Sequence, residues 1–185
     1  MIVCVDPGHG GKDPGAIATD GDKEKDLVLR LAKEFRDVVM AGDYEYKVYL
    51  TRASDRYLTL QARCSIANTL PADLFVSFHC NSSENQNAEG VEVWYCSGSE
   101  EGKALAAELY LSLLGSMEGI NGRGIKGDVE SPGGRLYVLR HTAMPAALIE
   151  FEFLSNPQEY VEDDAARRRI VHGLAEAINL YFIMG

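Results

Sequence analysis

The sequence predicts an α/β fold, a twisted and mostly parallel sheet of about six strands with helices on both faces. Three observations lead there. Short apolar runs recur along the chain, amphipathic segments of helical spacing separate them, and turns rich in Gly, Pro and Asn divide one from the next. Such alternation builds a sheet with helical crossovers and brings the strand exits to one edge.

Taken in order, residues 2–5 form a first strand ending at Asp6, and the Pro- and Gly-rich stretch 7–15 cannot extend it as strand or helix. Helix one is expected from Glu24 to about Ala41, where Leu27, Leu31, Phe35, Val38 and Val39 recur on one face and Gly42 follows. A strand over 44–51, a helix over 58–70, a heavily apolar strand over 73–79 and an alternating strand over 90–96 come next. A long helix follows from about Ser99 to Met117. Residues 118–134 contain six glycines and read as a loop. The last strands are expected over 136–140 and 146–151, and an amphipathic helix from Asp163 closes the chain.

The length of 185 residues suits a single domain, 1–185, and the hydrophobic share of 46% with 25% charged residues is that of a folded globular chain. A formal net charge of −10 repels polyanions, which argues against nucleic acid and anionic lipid as partners. The N-terminus lacks the zones of a signal peptide and the chain lacks an 18-residue apolar stretch, so synthesis in the cytoplasm without membrane insertion is expected. Cys4, Cys64, Cys80 and Cys96 stand singly and read as reduced thiols.

The reactive side chains fall at or beside strand exits: His9 after strand one, Glu24 opening helix one, His79 ending strand three, and Glu150 near the end of the last strand. Two imidazoles and a carboxylate are the ligand set of a catalytic zinc that keeps a fourth position open. Glu150 is then the candidate to move protons between water and a leaving nitrogen. Spacing alone leaves other roles open: a turn-fixing His9, a Glu24 that favours a helix N-terminus, a core His79. A phosphate-cradling role for Gly8–Lys12 fits poorly, because the G-x-x-x-x-G-K-[ST] spacing is absent.

Larger blocks carry more. The runs 6–16, 23–27, Thr51-Arg52, Arg63 with Ala67-Asn68, 72–81, 90–92, 136–146, 148–150 and 153–157 resemble, in order and end to end, the type-3 family of zinc N-acetylmuramoyl-L-alanine amidases. The resemblance implies hydrolysis of the amide between the lactyl group of N-acetylmuramic acid and the first L-alanine of the peptidoglycan stem, with one Zn2+ per chain. Matched by position, His9, Glu24 and His79 fall on the zinc ligands and Glu150 on the catalytic glutamate. A monomer acting on the bacterial wall, like the lytic enzymes of phages or sporulating mother cells, is the expected context.

One departure concerns Glu152, which stands where similar proteins carry glycine. In a regular strand Glu150 and Glu152 share a face; Glu150 is preferred as the acid/base because it closes the apolar run. Asn81, Arg123 and His141 are the candidate substrate contacts, with Lys126 and Arg135 as further basic groups that suit stem-peptide carboxylates. Cys80 points away from its neighbour His79 by strand alternation and is read as structural, as is His172. Some members of the family it resembles carry an extra helix in this region that blocks the zinc; the 118–134 connection is short and glycine-rich, so an open, unregulated site is expected.

Overall fold

The computed structural model describes residues 1–158 and 160–184. Six strands form one sheet in the order β2-β1-β3-β6-β4-β5: β1 (Ile2–Pro7), β2 (Lys47–Leu50), β3 (Leu74–Asn81), β4 (Val91–Tyr95), β5 (Gly122–Gly127) and β6 (Ala146–Phe153). Strands β1, β2, β3 and β6 run parallel, β4 opposes β6, and β5 runs parallel to β4. The expected α/β sheet, mostly parallel and flanked by helices, is therefore present. Among the described residues no helix is long and apolar enough to cross a membrane.

Five helices cover the sheet unequally: α1 (Glu24–Ala41), α2 (Leu60–Thr69), α3 (Glu100–Ser116), α4 (Tyr137–His141) and α5 (Asp164–Met184). Side chains alternate along each strand, so Val3, Val5, Val76 and Phe78 enter a core with Leu31 and Phe35 of α1, Leu109 of α3 and Leu174 of α5. Cys4, Phe75, Trp94 and Leu148 point the other way, onto Cys64 and Ala67 of α2 and Val138 and Leu139 of α4. The second face is covered by two short helices only. Its strand ends consequently remain open to solvent, and His79 and Glu150 share that face.

Helix starts follow local chemistry. Thr59 caps α2 by accepting from the Ala62 amide at 3.1 Å, and Ser99 caps α3 by accepting from Gly102 at 3.0 Å. Asp163 does the same for α5, accepting from the Ala166 amide at 2.7 Å. Glu24 and Asp26 place negative charge in the first turn of α1.

Two expectations are corrected. Residues 136–140 form no strand: Tyr137–His141 is helix α4. β6 already has β3 on one side and β4 on the other, so an extended segment here would lack a pairing edge, whereas a helical turn lets the adjacent Val138 and Leu139 both bury. Within 118–134, read as loop, lie β5 and a 3-10 turn over Asp128–Glu130. Its glycines hid this edge strand, since they lower strand propensity while a parallel ladder with β4 supplies the backbone bonds. The remaining elements sit where expected, with ends shifted by one to three residues.

Phe35 is fully buried and meets the Phe78 ring edge-on at 6.1 Å. Phe35→Ala should destabilise the protein by about 3–5 kcal/mol, through lost transfer energy and the cavity left behind. Urea unfolding followed by far-UV circular dichroism measures the change.

Candidate metal centre and active site

Three side chains converge at the exits of β1 and β3. His9 Nε2 and His79 Nδ1 stand 3.0 and 2.9 Å from the same oxygen, Glu24 Oε1, and one donor atom from each residue lies within 4.8 Å of the others. The two rings meet edge-to-face at 5.0 Å. Glu24 is fixed by backbone amides as well: Oε2 accepts from Ala16 at 2.9 Å and Oε1 from Cys80 at 3.0 Å. Asp13 Oδ2 lies 3.0 Å from the other nitrogen of His9, at ion-pair distance but without the alignment of a hydrogen bond.

The loop backbone explains its glycines. A Cβ on Gly8 would stand 2.3 Å from the His79 ring, and one on Gly15, which has φ +67°, would stand 2.5 Å from Glu24 Oε2. His9 itself adopts φ 57°, a left-handed conformation that turns its side chain back over the sheet edge. The loop amides are already used: Gly10 donates to the Asp13 carbonyl and Gly11 to Asp55 Oδ1. The two glycine amides at the centre of the loop are therefore not available to cradle a phosphate.

Three buried charges hold this loop. Arg52 donates to the carbonyls of Pro7, Gly8 and Lys25 at 2.9, 2.6 and 2.8 Å. Arg63 donates to Pro7 and His9 carbonyls at 2.8 and 2.5 Å and pairs with Asp6 Oδ1 at 2.7 Å. Asp6 also accepts from Thr51 and Ser77 hydroxyls, so strand, loop and helix α2 meet in one satisfied network.

Electrostatics matches this geometry. Burial pushes the Glu24 carboxyl up, but hydrogen bonds and charge from His79 and His9 outweigh it and hold the group well below the ordinary range. Burial lowers His9, and the facing Glu24 and Asp13 carboxylates more than offset this and raise it. A carboxylate that stays ionised between two imidazoles is a divalent-cation site in its donor chemistry, and two nitrogens with one oxygen suit zinc. The histidine side chains keep 24% and 20% exposure against 3% for Glu24, so a ligand can approach the histidine side.

Glu150 pairs in register with His79 across β3 and β6 and with Glu92 across β4 and β6. Its Oε2 atom is secluded and has no hydrogen-bond partner among the described residues. Burial, with the nearby Glu24 and Glu92 charges added, raises this carboxyl well above the usual range. An unpartnered carboxyl with affinity for a proton, one strand from a metal-type cluster, has the character of an acid/base group.

The structure separates Glu152 from Glu150, against the expectation of a shared face. Between the pairs His79–Glu150 and Asn81–Phe153 the ladder slips by one residue, a bulge in β6. Phe153 thus takes the place on the active face, and Glu152 turns inward, fully buried. There it accepts from the backbone amides of Gln158 and Val161, each at 2.8 Å, and from Tyr160 at 3.4 Å.

Two clefts meet at Leu136 and Ser131. One, of about 420 Å³, contains His9, His79, Asp13, Tyr57 and Arg135; the other, of about 370 Å³, contains Glu150, Asn81, Arg123, Lys126 and Phe153. Asn81 and Arg123 therefore line the same cleft as Glu150. His141 does not line either cleft: its ring stacks on Tyr137 at 3.7 Å with Nδ1 2.9 Å from the Tyr137 carbonyl. The Cys80 thiol is buried in the core, and His172 lies in a separate hollow between α1 and α5.

The family model for N-acetylmuramoyl-L-alanine amidases (Amidase_3) matches residues 3–180. The chain belongs to this family. An endolysin of Bacillus phage SPP1 is 37% identical over 96% of the chain, and the amidase AmiA of Escherichia coli K12 is 28% identical over 98%. The chain spans 64% of the length of that endolysin and 76% of AmiA. Among solved structures, the catalytic domain of CwlV, an amidase from Paenibacillus polymyxa, superposes with a TM-score of 0.89 at 31% identity, covering 100% of this chain and 99% of that one. An amidase from Clostridium difficile 630 gives 0.90 at 30%, with 99% and 97% covered.

Within this amidase fold, the supports for the loop carry signals that residue type alone did not expose. Asp6, Arg52 and Arg63 are charged residues in otherwise apolar or helical surroundings, and their burial explains them; Asp13 and Glu92 gave no comparable pattern. Arg63→Gln should keep the fold but loosen His9, weakening metal affinity about 10- to 100-fold by competition with a zinc chelator. Glu152→Gln should lower stability by about 1–3 kcal/mol in urea, through weakened backbone anchoring, while hydrolytic turnover per folded molecule stays at the parent level.

Proposed function

We propose that this chain hydrolyses the amide bond between N-acetylmuramic acid and L-alanine in peptidoglycan, with one zinc ion held by His9, Glu24 and His79 and with Glu150 as general acid/base. The observation that carries this reading is the register pair His79–Glu150, which sets an unpartnered carboxyl beside the three convergent donor atoms. When bound there, zinc supplies Lewis acidity toward the substrate carbonyl and lowers the pKa of water.

The protein's own groups divide the remaining work. Asp13 sets a negative charge 3.0 Å from the second nitrogen of His9, and the Ala16 and Cys80 amides hold both Glu24 oxygens in place. Glu150, desolvated and one strand away, takes a proton from the attacking water and returns it to the alanine nitrogen, which must leave as an amine. The water oxygen stays on the lactyl carbonyl carbon and the C–N bond breaks. Leu136 and Ser131, shared by both clefts, sit where the scissile amide crosses between them.

Residues 1–185 act as one catalytic unit on this reading, a monomer whose target is the bacterial cell wall. Family membership and the endolysin and amidase relatives support the substrate class. Incubation with purified peptidoglycan should release new free amines and no new reducing sugars, and a chelator should abolish the release until zinc is restored. Glu150→Gln should retain one zinc per chain while kcat falls about 10²- to 10⁴-fold. New reducing ends, or full activity of the chelated protein, would contradict the assignment.

A further inference from the structure

The cleft beyond Glu150 carries a charge cluster that hydrolysis itself does not require. Glu92, the register partner of Glu150 on β4, is buried, and its Oε2 accepts from Arg123 Nε and Lys126 Nζ, each at 2.6 Å. Its Oε1 accepts from Asn81 Nδ2 at 3.0 Å and Trp94 Nε1 at 3.2 Å. The Arg123 guanidinium lies over the Phe153 ring at 4.9 Å, and Lys126 Nζ over the Trp94 ring at 5.2 Å. The cleft sets these two cations against the carboxyl groups of Glu92, Glu130 and Glu150, and only Glu92 touches the cations directly. Both cations keep solvent access, at 34% and 25%, while Glu92 is sealed beneath them. Glu130, also in the cleft wall, has one oxygen engaged by the Gly127 amide.

Resting on the reaction proposed above, we infer that this cleft seats the peptide half of the substrate, that Arg123 and Lys126 bind the free carboxylate on the second residue of the stem, and that the His9 cleft seats the sugar. Bond breaking sets the direction. Water oxygen joins the lactyl carbon, the C–N bond breaks, and the alanine nitrogen departs with a proton from that water delivered by Glu150. The amine half therefore lies on the Glu150 side, and the acyl half on the His9 side, which is walled by Tyr57, Leu58, Leu60 and Tyr137.

Distance selects the second residue. β5 lies two strands from β6, about 10 Å at the usual strand spacing. Arg123 and Lys126 both touch Glu92, the register partner of Glu150, and cross-strand partners stand about 5 Å apart, so the two charges lie about 5–10 Å from Glu150. An extended peptide advances about 3.5 Å per residue, so the carboxylate one residue beyond L-alanine falls in that interval. Glu92 holds Arg123 Nε and the Glu89 carbonyl accepts from Nη1 at 3.3 Å, which leaves Nη2, beside Lys126 Nζ, to donate to a carboxylate.

The test compares two disaccharide–peptide substrates that differ only at the second stem residue, one with a free carboxylate and one with its carboxamide. The zinc-loaded protein should show a kcat/KM ratio of about tenfold in favour of the carboxylate, expressed in KM, the size of one charge-assisted contact. Arg123→Gln and Lys126→Gln should each move that ratio toward one. Equal kcat/KM for the two substrates overturns the inference, and so does a preference that both variants leave intact. Titration calorimetry of zinc-loaded Glu150→Gln with the same pair reads the preference without turnover. If neither substrate is cut but the carboxylate still binds more tightly, the proposed reaction fails and the carboxylate site stands.

Discussion

Two buried arginines set the conditions for everything at the active edge. A guanidinium removed from water is costly unless its donors are met, and here Arg52 and Arg63 are met by the backbone carbonyls of Pro7, Gly8, His9 and Lys25. Those carbonyls belong to the loop that bears His9 and to the first turn of the helix that bears Glu24. Solvation of the arginines and placement of the ligands are thus one requirement. The glycines that let the loop pass against His79 and Glu24 would otherwise leave it free to move.

The sheet adds a second constraint. Three long helices seal one face, and two short ones cover part of the other, so the side chains of the second face emerge uncovered at the strand ends. Direction reverses between β6 and β4, and the carboxyl terminus of one meets the amino terminus of the other. Glu150 and Glu92 come to face each other there, with opposite fates. Glu150 is left without a partner, whereas burial of Glu92 is outweighed by Lys126 and Arg123, which hold it ionised below its usual range. Open sheets of this class place ligands beyond the strand ends where direction or order changes.

How much of this could be read from sequence depended on whether the deciding contact was local. Helix α1, the apolar β3 and the exits carrying His9 and His79 follow from periodicity and turn residues, and Glu24 from its place at a helix start. Lys23 begins α1 without a side-chain cap, yet the acidic first turn sufficed as a signal. Residues 136–140 misled because Leu136, Val138 and the residues between them alternate like a strand, while the choice was made by which sheet edges were already occupied. β5 was masked by glycines that a partner strand tolerates. Glu152 was placed by a bulge, a one-residue slip that no spacing rule contains, and the roles of Asp6, Arg52 and Arg63 needed the fold before their burial had meaning.

The strand order also bears on when the protein becomes competent. β6 is the last strand in the sequence yet sits between β3 and β4 at the middle of the sheet. The three convergent donor side chains, His9, Glu24 and His79, reside within the first 79 residues, but the carboxyl beside them arrives only with residue 150. A chain emerging from the ribosome can bring these three side chains together early and still lacks Glu150 and its central ladder. Assembly of this edge is thereby tied to the synthesis of β6, since folding is vectorial and the sheet closes only when its inner strand is supplied.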